Sequence, residues 1–124
     1  MRELLLVGLG GAVGSMARYA LGMALAGYST VFPVATLLIN AGGSLLMGIL
    51  VGLGAHFVNL TEPWRVLLAV GVLGGFTTFS TFSLEVVQLV ERNQMPLAML
   101  YIALSLLLAL AGLWAGLLLV RFLA

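Results

Sequence analysis

Four long apolar stretches run along the chain, and short connections at residues 27–32, 58–62 and 92–95 separate them. The stretches cover about residues 4–26, 33–57, 63–91 and 96–122. Each is longer than the roughly 20 residues that an α-helix needs to cross the hydrocarbon core of a bilayer. Pro33, Pro63 and Pro96 stand at or next to three of the starts, where a missing backbone N–H costs nothing. The pattern predicts an all-α membrane protein, a single transmembrane domain of residues 1–124 with four spans.

The third stretch contains a segment that does not suit a continuous helix. Gly71, Gly74 and Gly75 lie within five residues, and hydroxyl and aromatic residues follow without interruption from Phe76 to Ser83. Glycine destabilises a helix interior by about 1 kcal/mol relative to alanine. Backbone carbonyls that a break frees must be buried in protein, line water or bind an ion. We therefore predict that the third helix is broken in the middle of the membrane.

Two kinds of side chain alternate after this break. One helical arc carries the hydroxyls Thr77, Ser80 and Thr81, and another carries the rings of Phe76, Phe79 and Phe82. Hydroxyl hydrogens and the positive edges of aromatic rings can both face a small anion. The arrangement is compatible with an anion pore. It is equally compatible with a helix–helix interface in which the hydroxyls are interhelical contacts and the phenylalanines are packing.

Polar residues also interrupt the first and second stretches. Thr36, Asn40 and Ser44 are spaced four apart and share one face of the second helix. They can line a polar path or hydrogen-bond a neighbouring helix. Arg18 lies late in the first span, where a charge is costly. It can extend to the membrane surface or pair inside the protein.

The composition supports a membrane location and excludes several function classes. Hydrophobic residues make up 63% of the chain and charged residues 7%, against about 25% charged in a soluble domain. A net charge of +1 gives no basic patch for nucleic acid. Cysteine is absent and there is one histidine, so the chain has no zinc-ligand set and no acid–base pair at useful spacing. We do not expect an enzyme.

The arginines and glycines bear on assembly. Arg2, Arg65 and Arg121 lie on the side of the termini, whereas Arg92 and Arg18 lie on or toward the other side. This weak bias permits insertion in both orientations, although a small bias can still fix one. Several of the 16 glycines are spaced four apart, which lets helices approach closely in lipid. Self-association is the favoured interpretation, and a tightly packed monomer is the alternative.

Three segments together carry a resemblance to a known family. The run from Gly74 to Ser83 closely resembles the signature of the CrcB/Fluc family of fluoride channels. The likeness extends to residues 10–19 in the first span and to residues 36–44 in the second, and it covers the whole chain. The family also has four spans in about this length.

The resemblance implies an assembly and an ion. Family members are dual-topology homodimers of antiparallel subunits, and two pores conduct fluoride passively out of the cytoplasm. A structural sodium ion lies on the two-fold axis, held by backbone carbonyls that match Gly74 and Thr77. The expected partners are therefore fluoride, a second copy of the chain and membrane lipid. The expected location is a bacterial plasma or inner membrane.

The resemblance also implies which residues line the pore. Phe79 and Phe82 match the phenylalanines whose ring edges face fluoride, and Asn40 matches a pore-facing asparagine. The other matching positions are two hydroxyls of the third span, two of the fourth span and an arginine at the pore vestibule: Ser80, Thr81, Tyr101, Ser105 and Arg18. The fourth-span match is looser, and Ala109 ends any hydroxyl row there.

Two other functions remain open on the sequence. A small multidrug or guanidinium exporter also has four spans, but it needs a carboxylate inside the membrane, and Glu85 would have to supply it. A non-transporting assembly subunit would use the Ser/Thr run only to hold helices together.

Overall fold

The computed structural model describes residues 1–57 and 59–124, and these residues form helices joined by short loops. Val58, within the predicted connection 58–62, lies outside the described residues. The elements in chain order are α1 (Arg2–Ala24), a 3₁₀ turn (Ala26–Tyr28), α2 (Val34–His56), α3 (Glu62–Arg65), a π-helix (Val66–Leu73), α4 (Gly74–Phe76), α5 (Phe79–Glu91) and α6 (Met95–Leu123).

Four helical spans in this structure are long and apolar enough to cross a membrane, which confirms the predicted fold class. They are α1, α2, the composite third span Glu62–Glu91, and α6. The prolines lie where the sequence pattern put them. Pro33 is the N-cap residue of α2, and α3 and α6 each have proline in their first two positions.

Close backbone approach determines how the spans pack. α1 lies along the π-helix and α4, and α2 lies along α6. A Cβ atom added at Gly14 would be 2.0 Å from the carbonyl oxygen of Val72, and one at Gly48 would be 2.1 Å from that of Leu113. All eight glycines that the sequence pairs at a spacing of four have a Cβ position within 3.2 Å of a neighbouring helix: Gly10, Gly14, Gly48, Gly52, Gly71, Gly75, Gly112 and Gly116.

The buried core is small and lies near the α5–α6 connection. It consists of Leu37, Leu89, Ala98 and the fully buried Tyr101, with the ring of Phe82 packed against it. Most other large apolar side chains point outward along the helices. In lipid, which is as apolar as they are, these side chains lose nothing by exposure, so dispersion between closely packed helices has to hold the bundle together.

The glycine contacts give a test of this packing. Gly14→Ala forces a methyl group into the backbone of the third span and should destabilise the protein by about 1–3 kcal/mol, the usual cost of overpacking. Gly8→Ala is the matched control on the same helix, because nothing lies within 4 Å of its Cβ position. Heating each variant in detergent and measuring the remaining monodisperse fraction by size exclusion checks this. Equal behaviour of the two variants would contradict the packing described.

Candidate functional site

The third span changes backbone conformation at Thr77 and Thr78. Both residues are extended, with φ −80° and ψ 157° at Thr77 and φ −151° and ψ 119° at Thr78. The N–H of Thr77 makes the last helical bond, 3.1 Å to the carbonyl of Leu73. α5 then begins at Phe79, with Thr78 as the N-cap residue whose hydroxyl accepts from the N–H of Thr81 at 3.2 Å.

Asn40 of α2 hydrogen-bonds the extended residue Thr78 in both directions. Its Nδ2 donates to the carbonyl of Thr78 at 2.9 Å, and its Oδ1 accepts from the N–H of Thr78 at 2.8 Å. An unpaired backbone group in an apolar setting costs several kcal/mol. Asn40 thus supplies the partners that a continuous helix would have supplied. The second hydrogen on its Nδ2 has no acceptor among the described residues.

A cavity of about 240 Å³, here named the phenylalanine cavity, opens beside this segment. It brings together five residues that were predicted to line a pore: Asn40, Ser44, Phe79, Phe82 and Ser105. Thr77, Thr78, Leu106 and Ala109 complete its lining. Every residue of this lining is uncharged, so the cavity can hold an ion only through neutral donors and dipoles.

Two aromatic rings form one wall of the phenylalanine cavity. The ring centroids of Phe79 and Phe82 are 5.4 Å apart, and Phe82 in turn lies 5.1 Å from the ring of Tyr101. Phe79 is 76% exposed, which is unusual for a residue that lines a cavity. The cavity is therefore open to the outside of a single chain along the face that Phe79 occupies.

Ser105 contributes the most informative polar atom of the cavity. Its Oγ is buried, and no described residue lies within hydrogen-bond distance as a partner. A buried hydroxyl without a partner costs about 1–3 kcal/mol. Ser105 and Asn40 line the same cavity, so a hydrogen-bond acceptor that entered it would find donor-bearing side chains from α2 and from α6 in its wall.

Thr36 and Tyr101, also predicted to line the pore, contact a carboxylate instead of the phenylalanine cavity. The Oγ1 of Thr36 donates to Oε1 of Glu85 at 2.7 Å, and the hydroxyl of Tyr101 donates to Oε2 at 2.6 Å. Tyr101 remains connected to the cavity through its ring, which contacts Phe82. On α6, Tyr101 lies one helical turn from Ser105, on the same face of the helix.

Arg18 and Thr81 lie together in a second cavity of about 300 Å³, here named the Arg18 pocket. The Nε of Arg18 donates to the carbonyl of Gly75 at 3.2 Å, so this half-buried charge pairs with backbone inside the protein. Thr81 Oγ1 accepts from Thr78 Oγ1 at 3.1 Å. Ser80 is exposed, with its Oγ 3.4 Å from the Thr78 hydroxyl, and it lines neither of these two cavities.

The two carbonyls matched to a sodium site have lost their usual helical partners. In a continuous helix the N–H of Thr78 would donate to the carbonyl of Gly74, but here it donates to Asn40. The N–H of Thr81 would donate to the carbonyl of Thr77, but here it donates to the Thr78 hydroxyl. Backbone carbonyls are ligands that suit a hard cation, so the chemistry of these residues fits sodium.

Sequence reasoning missed the roles of Thr78 and Glu85. Asn40 is predicted either to line a polar path or to hydrogen-bond a neighbouring helix, but no pattern says which backbone it would bond across 38 residues of chain. Glu85 entered only as the carboxylate of a possible exporter. An acid at membrane depth needs hydrogen-bonding partners, and this rule points from Glu85 to hydroxyl groups on the neighbouring helices.

Known proteins match this chain along nearly its whole length. The family described as CrcB-like protein, Camphor Resistance (CrcB), matches residues 5–117. The fluoride-specific ion channel FluC of Rhodospirillum centenum is 49% identical over 122 residues, which cover 98% of this chain and 97% of that protein. The protein of the same name from Caulobacter vibrioides is 50% identical over 98% of this chain and 97% of its own length. The one from Erythrobacter litoralis is 50% identical over 95% of this chain and 91% of its own length. The chain is a multi-pass membrane protein that belongs to the CrcB/FluC family.

Proposed function

We propose that this protein is a channel that lets fluoride leave the cell passively, and that the phenylalanine cavity is part of the fluoride path. The observation that carries the proposal is that Asn40 and Ser105 line one cavity, and that the Ser105 hydroxyl has no partner among the described residues. Fluoride is a small, strongly hydrated anion, and a path for it has to replace water with other hydrogen donors. The names of the relatives support the same ion.

The phenylalanine rings extend this set of donors. Ring edges carry the positive end of the aromatic quadrupole, so Phe79 and Phe82 can turn hydrogens toward an anion in the cavity. Their lack of charge also matters, because a fixed lysine or arginine at the centre would bind an anion too firmly for rapid release. Neutral donors favour entry and still allow exit.

The functional unit in this proposal is an antiparallel homodimer with two pores. The exposed ring of Phe79 supports it, since a second copy laid against that face would close the open side of the phenylalanine cavity. The near-even distribution of arginines between the two sides of the membrane is compatible with insertion in both orientations.

A sodium ion on the two-fold axis completes the proposed assembly. Gly74 and Thr77 would hold it through their carbonyls, and Gly74 is exposed on the single chain, where a second copy could add its own pair. When bound, the ion supplies positive charge beside two anion paths and joins the two irregular segments.

The exporter alternative receives less support from the geometry. A cation site needs a carboxylate that is directed at its substrate, whereas each oxygen of Glu85 accepts a hydroxyl hydrogen bond, from Thr36 or from Tyr101, which uses part of its acceptor capacity within the protein. Family membership also favours a channel over an enzyme or an assembly subunit.

The proposal is tested by fluoride efflux from liposomes. Purified protein should release internal fluoride, measured with a fluoride electrode, when a potassium ionophore balances the charge. Efflux no faster than from empty vesicles would contradict the proposal. Efflux that requires a proton gradient would indicate a coupled transporter instead.

In the same assay, variants of the two cavity phenylalanines test whether their rings belong to the fluoride path. Phe79→Ile and Phe82→Ile keep the bulk and apolarity but remove the ring edge, and losing a donor to a buried charge costs about 1–3 kcal/mol. Each should lower flux about tenfold or more, since ~1.4 kcal/mol is a factor of ten. Phe122→Ile, at an 84% exposed ring near the end of α6, is the control and should conduct as the parent does. Normal flux through both cavity variants would mean that the rings only pack.

The dimer proposal predicts two orientations in one membrane. The chain has no cysteine, so Ala124→Cys and Gln94→Cys each place a single thiol, at opposite ends of the bundle. A membrane-impermeant maleimide added to sealed vesicles should label about half of either variant, because half of the chains face each way. Full labelling of one variant together with full protection of the other would show a single orientation and contradict the dimer.

A further inference from the structure

A third cavity, of about 250 Å³, lies at the end of the bundle where the α1–α2 and α5–α6 connections meet, and we name it the loop-end pocket. Its lining is mostly polar and comes from both connections and from the last turns of α5: Ser29, Thr30, Val31, Pro33, Ala35, Glu85, Gln88, Leu89 and Arg92. Glu85 lies six residues before the end of α5, about 9 Å along the helix at ~1.5 Å per residue. The pocket thus extends inward from the surface of the bundle.

A row of contacts joins the loop-end pocket to the phenylalanine cavity. Glu85 lines the pocket and accepts from the hydroxyl of Tyr101 at 2.6 Å. The ring of Tyr101 lies 5.1 Å from that of Phe82, which lines the phenylalanine cavity. The contacts thus connect Glu85 in the pocket with Phe82 in the cavity through the fully buried Tyr101, as a row of packed polar and aromatic side chains.

The surroundings of this pocket contain groups that repel an anion and groups that attract one. Glu85 places a carboxylate in the wall, and the exposed Glu91 precedes Arg92 in the sequence. The C-terminus of α5 adds the negative end of a helix dipole, and the N-terminus of α2 adds a positive end. Arg92 is the cation in this lining.

Arg92 is held at the entrance by its backbone and is not engaged in an ion pair. Its N–H donates to the carbonyl of Gln88 at 3.1 Å, and the next two residues of the turn donate back into α5 at 3.0 and 2.9 Å. Among the described residues, the close ion pair is Arg65–Glu62, with 3.2 Å between guanidinium nitrogen and carboxylate oxygen, and Arg92 takes no part in one. The exposed guanidinium thus has no direct ion-pair partner among the described residues, which leaves its N–H donors able to meet an approaching ion.

We propose that Arg92 is the anion-attracting group at the mouth of the conduction path. It raises the local concentration of fluoride in the loop-end pocket and compensates the field of Glu85 and of the α5 C-terminus. The inference rests on the proposed function, because it names the entrance of the same path. A charge that acts from the mouth changes how readily the ion enters, and leaves the barrier inside the phenylalanine cavity as it is.

The test measures fluoride efflux against fluoride concentration in liposomes that contain the parent or Arg92→Gln. At about 10 mM ionic strength, where the Debye length is ~30 Å, Arg92→Gln should raise the half-saturating concentration roughly two- to threefold or more. The maximal rate should stay the same. At about 1 M ionic strength, where the Debye length is ~3 Å, the difference should disappear. Arg92→Lys should behave as the parent does.

Arg121→Gln is the matched control. Arg121 is exposed in the last turn of α6 and lies outside the loop-end pocket, at the other end of its own chain. In the proposed antiparallel dimer it therefore shares a membrane face with the pocket of the second copy without lining that pocket. Its loss removes the same charge, so it should change the half-saturating concentration much less than Arg92→Gln does. An effect as large as that of Arg92→Gln would indicate a general surface charge and overturn the inference.

The remaining outcomes also separate the hypotheses. An unchanged half-saturating concentration in Arg92→Gln at low salt would overturn the role of Arg92 while the parent's flux still supports the channel. A loss of maximal rate at every salt concentration would indicate a structural role and likewise overturn it. Absence of flux in the parent would overturn the proposed function, and this inference with it.

Discussion

Two hydrogen bonds between the Asn40 amide and the backbone of Thr78 join the second span to the irregular segment of the third. Without them, two backbone groups of an extended residue would lack partners among apolar helices, at a cost of several kcal/mol. Because the N–H of Thr78 donates to Asn40, the carbonyl of Gly74 lacks its helical hydrogen bond. Because the N–H of Thr81 donates to the Thr78 hydroxyl, the carbonyl of Thr77 lacks its own. The same contact sets where α5 begins, and so fixes Phe79 and Phe82 in the wall of the cavity.

The glycine contacts make this arrangement possible. Gly14 brings α1 against the third span, and the same approach sets the Nε of Arg18 3.2 Å from the carbonyl of Gly75, so that this half-buried charge has a hydrogen-bond acceptor. Gly48 brings α2 against α6, which carries Ser105 to the cavity that Asn40 lines. Close packing, which substitutes for the hydrophobic effect in lipid, thus also assembles polar groups from three spans around one cavity.

The sequence predicted the helical spans better than it predicted which side chains contact each other between them. The number of spans follows from the length of the apolar stretches. The places of the prolines and glycines follow from the residues themselves, since proline lacks a backbone N–H and glycine lacks a Cβ that would keep helices apart. Asn40, Ser44, Phe79, Phe82 and Ser105 were each named and do share a cavity. The pairing of Thr36 and Tyr101 with Glu85 was not foreseen, because long-range contacts depend on helix rotation, which an aliphatic sequence such as that of α6 leaves undefined. The pore roles of the named residues stay predictions.

The measurement that tests the central role of Asn40 most directly is fluoride flux through Asn40→Asp. An aspartate can still accept from the N–H of Thr78, but it loses the Nδ2 donor to the Thr78 carbonyl and brings a negative charge to the cavity. The variant should elute from size exclusion as the parent does, and its flux should fall about tenfold or more, given ~1–3 kcal/mol for each lost donor. Asn59→Asp adds the same charge outside the phenylalanine cavity and should conduct normally. Flux through Asn40→Asp equal to that of the parent would contradict the account.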